Sequence, residues 1–135
     1  MEGETWKVLR MPTFDAWYRS LDTERATQVA GALRYVEARG PLLGRPHVDS
    51  IKGSRVHNLK ELRLNHGVRV LFAFDPNRHA VMLVGGDKTG SWDRWYVQKI
   101  RVAEKLYTAH LQSIGKGDRC LSPGRVGRTK PERGR

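Results

Sequence analysis

Apolar side chains along this chain recur first at helical and then at strand spacing. The opening run Thr5-Trp6-Lys7-Val8-Leu9-Arg10 has the β-branched and aromatic content of a strand. Pro12-Thr13 then starts a helix that Thr13 is placed to cap, with Phe14, Trp17, Tyr18 and Leu21 on one face. Asp22 is the expected cap of a second helix, whose stripe is Ala26, Val29, Ala30, Leu33 and Val36. Gly40-Pro41 ends it, since glycine accepts a left-handed cap and proline cannot continue the hydrogen bonding. The result is a short-linked helical hairpin with apolar faces to cover.

After a Gly/Pro-punctuated loop from Pro41 to Ser54, the period changes to that of strands: Leu59–Leu64, Val68–Asp75 and His79–Gly85. Asn65-His66-Gly67 is a tight hairpin signal, and Asp75-Pro76-Asn77-Arg78 turns the second run into the third. In the middle run Val68, Val70, Phe72 and Phe74 form an apolar face. Arg69, Leu71, Ala73 and Asp75 form a mixed one, expected to be partly open to solvent. After a loop at Gly85–Gly90, Ser91 is placed to cap a last helix reaching about Ile114, with Tyr96, Ile100, Ala103, Tyr107 and Leu111 as its stripe. The order predicts an α+β domain: a helical hairpin packed on a small, curved, mainly antiparallel sheet, plus a C-terminal helix.

Length, 135 residues, allows one domain with at most a tail. Composition changes at Gly115: residues 115–135 hold seven Lys/Arg against two acids and only three apolar side chains, too few to offset the entropy of ordering. A folded domain over 1–114 and a basic, disordered tail over 115–135 are therefore expected. The whole chain carries +11, and the tail supplies +5 of it, so the body is basic in its own right. Seventeen of the 25 cationic residues are arginine, whose planar fork suits phosphate. The expected partner is a polyanion. A single cysteine, Cys120, excludes an intrachain disulfide and a multi-cysteine metal site. No stretch is apolar enough to span a bilayer, and no secretory leader is evident, so a cytoplasmic protein with no membrane partner is expected. No metal and no cofactor is expected: Asp87 and Asp93 alone make a poor metal site.

Cations are densest between Arg45 and Arg69, where six Lys/Arg face only Asp49 and Glu61. The tight turn brings Arg63 and Arg69 toward each other across the ladder, and like charges so placed are destabilising unless an anion bridges them. Lys60 lies in the same strand as Arg63, and Lys88 follows the last strand, so the four are expected to converge on one open sheet face. Histidine is a residue type suited to general-base work near neutral pH, and His57 and His66 are the candidates in this stretch. Trp92, Trp95 and Tyr96 crowd the start of the last helix, where one ring is expected to be buried and one to stack on a base.

The run NLKELRLNHGVRVLFAFDPNRHAVMLVGGDKTG, with Ile51-Lys52-Gly53-Ser54, Lys60–Arg63, Val68–Phe72, Gly86–Lys88 and the A-x3-Y-x2-H-L pattern of Ala103–Leu111, resembles the RelE/ParE superfamily of toxins from type II toxin–antitoxin pairs. The likeness is to its HigB-like, phage-derived branch and covers about residues 5–112. It implies a ribosome-dependent mRNA endonuclease in which the ribose 2′-hydroxyl attacks the adjacent phosphorus without metal. Carried over by position, Arg63, Arg69, Lys88 and Lys60 are the implied catalytic residues and Tyr96 an implied RNA contact; Lys52, Arg55 and His57, from the same basic stretch, are the other expected RNA-binding residues. The implied partners are mRNA on the ribosome and a cognate antitoxin of helix-turn-helix type. Two alternatives stand beside this: a ParE-like gyrase inhibitor, and a basic RNA-binding module without catalysis.

Overall fold

The three alternating runs become the middle of a five-stranded sheet. The computed structural model describes residues 5–87 and 92–120. Its strands are β1 (Lys7–Arg10), β2 (Val48–Ser50), β3 (Leu59–Arg63), β4 (Val68–Phe74) and β5 (His79–Asp87), in the spatial order β1-β5-β4-β3-β2. The pairs from β2 to β5 are antiparallel, and β1 lies parallel to β5 with Val8 opposite Ala80. The helical hairpin carries the chain from β1 at one edge of the sheet to β2 at the other, and the antiparallel run β2 to β5 returns it beside β1. Expectation and structure differ at β2: three residues inside the predicted loop add an edge strand, Asp49 opposite Glu61.

Helices α1 (Pro12–Arg19) and α2 (Thr23–Arg39) cover one face. Phe14, Val29, Leu33 and Val36 pack there with Val70, Phe72 and Met82, all buried. Asp22 caps α2 as expected, accepting from the Arg25 N–H at 2.8 Å. Thr13 does not cap α1. Proline needs no N–H partner and itself takes the first helical position, so the cap falls on Met11, whose side chain makes no capping bond. Gly40 ends α2 at φ +55°, and its Cα lies against the Trp6 indole, where a side chain has no room.

The opposite face is not open. Helix α3 (Trp92–Cys120) lies over it, and Leu71, Ala73, Val81, Leu83 and Val84 are buried with Ala103 and Tyr107. Leu83 and Val84 both reach this core because the ladder slips between Leu71 and Phe72, a bulge in β5. The mixed face of β4 now has a physical reason: Leu71 and Ala73 in its middle are covered, while Arg69 and Asp75 at its ends meet polar groups at the two rims. Each buried Val, Leu or Phe contributes about 1.5–3 kcal/mol, so two apolar layers hold the sheet between its helices. Helix α3 continues to Cys120, past the expected boundary at 114; residues 121–135 and Ser91 lie outside the described residues. No helix among the described residues is long and apolar enough to cross a membrane.

Candidate active site: two arginines on one buried carboxylate

Arg63 and Arg69 stand directly opposite each other on β3 and β4, as the turn at Asn65–Gly67 requires. The turn closes with His66 and Gly67 at φ 62° and 77°. The bridging anion is supplied by the chain itself. Glu61, two residues before Arg63 and so on the same face, receives the Arg63 Nε on Oε1 at 3.0 Å. Its Oε2 lies 3.8 Å from the Arg69 Nε and accepts the Tyr96 hydroxyl from the first turns of α3. The Glu61 side chain is 3% exposed, that of Arg69 13% and that of Arg63 41%, so Arg63 is the member facing solvent.

Outer bonds fix these groups. Arg69 donates to the carbonyls of Leu64 and Val68 at 3.0 and 2.9 Å, tying the guanidinium to the turn. Arg63 also reaches Asp49 Oδ2 at 3.3 Å, and Arg45 meets Asp49 Oδ1 at 3.3 Å. The Arg45 bond, followed by the Ser50 N–H, holds Asp49 below the usual carboxylate range. Burial, then the bond to Glu61, pushes the Tyr96 phenol up to about 12, so it is protonated at neutral pH and serves as a donor, not a base. Gly86, opposite Arg69, leaves room for the Trp95 indole; a Cβ there would lie 2.9 Å from its Nε1.

The expected convergence of four cations is therefore corrected. Positions 60 and 63 differ by an odd number, so Lys60 points to the other face, where its Nζ meets Ser50 Oγ at 3.2 Å. Lys88 lies outside the described residues. Lys52, Arg55 and His57 are exposed on the segment before β3, at the opposite end of that strand from Arg63. Tyr96 does join the two arginines. Trp95 packs into the α3-side core, and the side chain of Trp92 is not described. The central group, Glu61, was missed as a site residue, although its spacing from Arg63 in Glu61-Leu62-Arg63 carries the signal.

A second polar cluster occupies the other rim. Asp75, with a fully buried side chain, receives His110 Nε2 at 2.7 Å and His79 Nδ1 at 3.1 Å on Oδ2. Its Oδ1 takes the N–H groups of Asn77 and His79. Burial alone would raise its pKa, but the bonds from His110, the His79 N–H and the His79 ring together hold it low. A depressed folded pKa means stability present above the unfolded value near 4 and lost as pH falls through the folded one. Asp75→Asn is expected to cost about 1–3 kcal/mol at pH 7 and to flatten the loss below pH 4, as read by urea unfolding at the two pH values.

Comparison with known proteins places this architecture. The fold is that of the RelE toxins: isolated Escherichia coli RelE superposes with a TM-score of 0.53 at 14% identity, covering 70% of this chain and 96% of RelE. The RelBE2 toxin–antitoxin complex of Mycobacterium tuberculosis gives 0.52 at 15% identity, over 64% of this chain and 95% of that one. Within that fold the chain belongs to the Gp49-like family of phage-derived proteins, which it matches over residues 16–108, and is HigB-like. A Mycobacterium tuberculosis protein named as toxin HigB3 is 44% identical over 99 residues, 73% of this chain and 87% of that protein. One named as toxin HigB2 is 46% identical over 100 residues, 71% of this chain but only 50% of its own length.

Proposed function

We propose that this chain is the toxin of a toxin–antitoxin pair and cleaves mRNA on the ribosome. The observation that carries the proposal is the pair Arg63 and Arg69, permanently charged, opposed on adjacent strands and fixed by Glu61 at a rim where Arg63 is open to solvent. In the reaction the ribose 2′-oxygen attacks the adjacent phosphorus, the bond to the 5′-oxygen breaks, and a 2′,3′-cyclic phosphate and a 5′-hydroxyl result. The 2′-proton leaves to a base and a proton returns to the 5′-oxygen. Charge builds on the non-bridging phosphoryl oxygens, and guanidinium groups already in place stabilise it without reorganising. Arg63 meets the phosphate first, and Arg69 stands behind it. Tyr96, its single proton already given to Glu61, holds that carboxylate and through it the two guanidinium groups in place. The ribosome supplies substrate geometry, which relaxes the demand for a deep pocket.

This reading uses Arg63, Arg69 and Tyr96, with Lys88 as the further cation the resemblance implies. Lys60, on the other face, has no part in it. The partner in the cell is a cognate antitoxin, taken to be of helix-turn-helix type; relatives in fold solved as toxin–antitoxin complexes support an antitoxin partner. The test is induction in a bacterial host with transcript ends mapped by primer extension and plasmid topology followed on gels. Discrete new cuts in translated mRNA are expected. Growth arrest with intact transcripts and altered DNA topology would overturn the nuclease reading for the gyrase one, and absence of any toxicity would leave a binding module.

A further inference from the structure

A groove of about 750 Å³ runs between the segment at Gly53–Val56 and α3, away from the Arg63–Arg69 rim. Its floor is aliphatic, with Val56, Val97 and Ile100, and Val97 is 52% exposed. Its rim is cationic, with Arg55, Arg101 and Lys105 all exposed. Among the described residues none of these three cations pairs with an acid. The one acid lining the groove, Glu104, is already engaged: its Oε2 accepts from Ser54 Oγ at 2.9 Å and from the Arg55 N–H at 2.8 Å. Those bonds pin the segment to α3, and the rim keeps three cations against one carboxylate.

The α3 side of the groove is a helical stripe, Val97, Arg101, Lys105, Thr108 and Gln112, at spacings of four and three. At 1.5 Å per residue it extends about 22 Å, the length of a helix of some four turns. We infer that this groove receives an acidic amphipathic helix of a protein partner, its apolar side on Val97 and Ile100 and its carboxylates on Arg55, Arg101 and Lys105. Charge decides among the candidates. The chain's own segment 121–135 carries five Lys/Arg against one acid and is repelled, and a second copy brings a net +11 with it. RNA satisfies the cations, but no aromatic ring lines the groove on which a base would stack.

The inference rests on the toxin–antitoxin reading and names the docking mode of the antitoxin. The probe is the protein encoded by the reading frame adjacent to this gene, titrated against the full chain by calorimetry. Reversing both rim cations, R101E with K105E, is expected to weaken binding about 100-fold and leave mRNA cleavage by the free chain unchanged. R69A is expected to bind the partner as wild type does. Tight binding that survives the double reversal overturns the groove and spares the toxin reading. A loss confined to affinity for a single-stranded RNA dodecamer, with partner binding intact, also overturns it, making the groove a nucleic-acid path. Failure of wild type to bind the neighbouring protein removes the antitoxin reading and the groove with it.

Discussion

Arg69→Ala is expected to slow mRNA cleavage by about 100- to 1,000-fold, the usual loss when one fixed donor to a developing oxyanion is removed. Arg69 is the more buried of the pair, its guanidinium oriented by the carbonyls of Leu64 and Val68. Its field at a phosphate is less screened than that of the solvent-facing Arg63. Truncation also removes two bonds to the turn backbone, at the Leu64 and Val68 carbonyls, so circular dichroism and a urea midpoint must show the variant folded before its rate is read. Arg69→Lys restores charge without the planar fork and is expected to recover only part of the rate. A folded Arg69→Ala chain that cuts ribosome-bound message within threefold of wild type would sink the assignment.

Glu61→Ala carries the largest expected cost to the fold. Removing one partner of a buried ion pair leaves charge uncompensated, typically worth about 3–5 kcal/mol. Here two guanidinium groups lose their shared counter-charge and the Tyr96 hydroxyl loses its acceptor. Urea unfolding at pH 7 measures the loss, and an Ala variant within 1 kcal/mol of wild type would show that the cluster contributes little. Glu61→Gln keeps the shape and removes the charge. Tyr96, held up at about 12, is expected to titrate closer to the ordinary 10 in that variant, a shift NMR of ring-labelled tyrosine resolves. A raised folded pKa contributes stability that is full below pH 10 and lost as pH climbs toward 12, so Glu61→Gln is also expected to reduce that alkaline loss.

Local periodicity was enough to read both hairpin helices, the three antiparallel strands and α3, because each buries a stripe with its own repeat. The opposition of Arg63 and Arg69 was equally readable, since the Asn65–Gly67 turn leaves one register available. What escaped was non-local. Val48–Ser50 is too short to show a period and becomes a strand only because Leu59–Arg63 lies beside it. The cover of α3 over Leu71 and Ala73 was hidden by the polar ends of the same strand, which made a buried face look half-solvated. Lys60 was misplaced by treating proximity in sequence as proximity in space, when strand parity already sets residues 60 and 63 on opposite sides. Glu61 was counted as a charge against the basic patch, whereas register makes it the group around which the patch is built.

Helix α3 is bolted to the sheet at two points along its length. Tyr96 holds one to Glu61, and some 21 Å along, at 1.5 Å per residue, His110 grips Asp75 while Tyr107 donates to the Phe74 carbonyl at 2.8 Å. A beam fastened at two points neither slides nor rolls on its bed unless one fastening lets go. Loosening the far bolt therefore reaches the arginine rim without touching it, and the histidine end of the molecule has a say in how firmly the phosphate-facing end is braced.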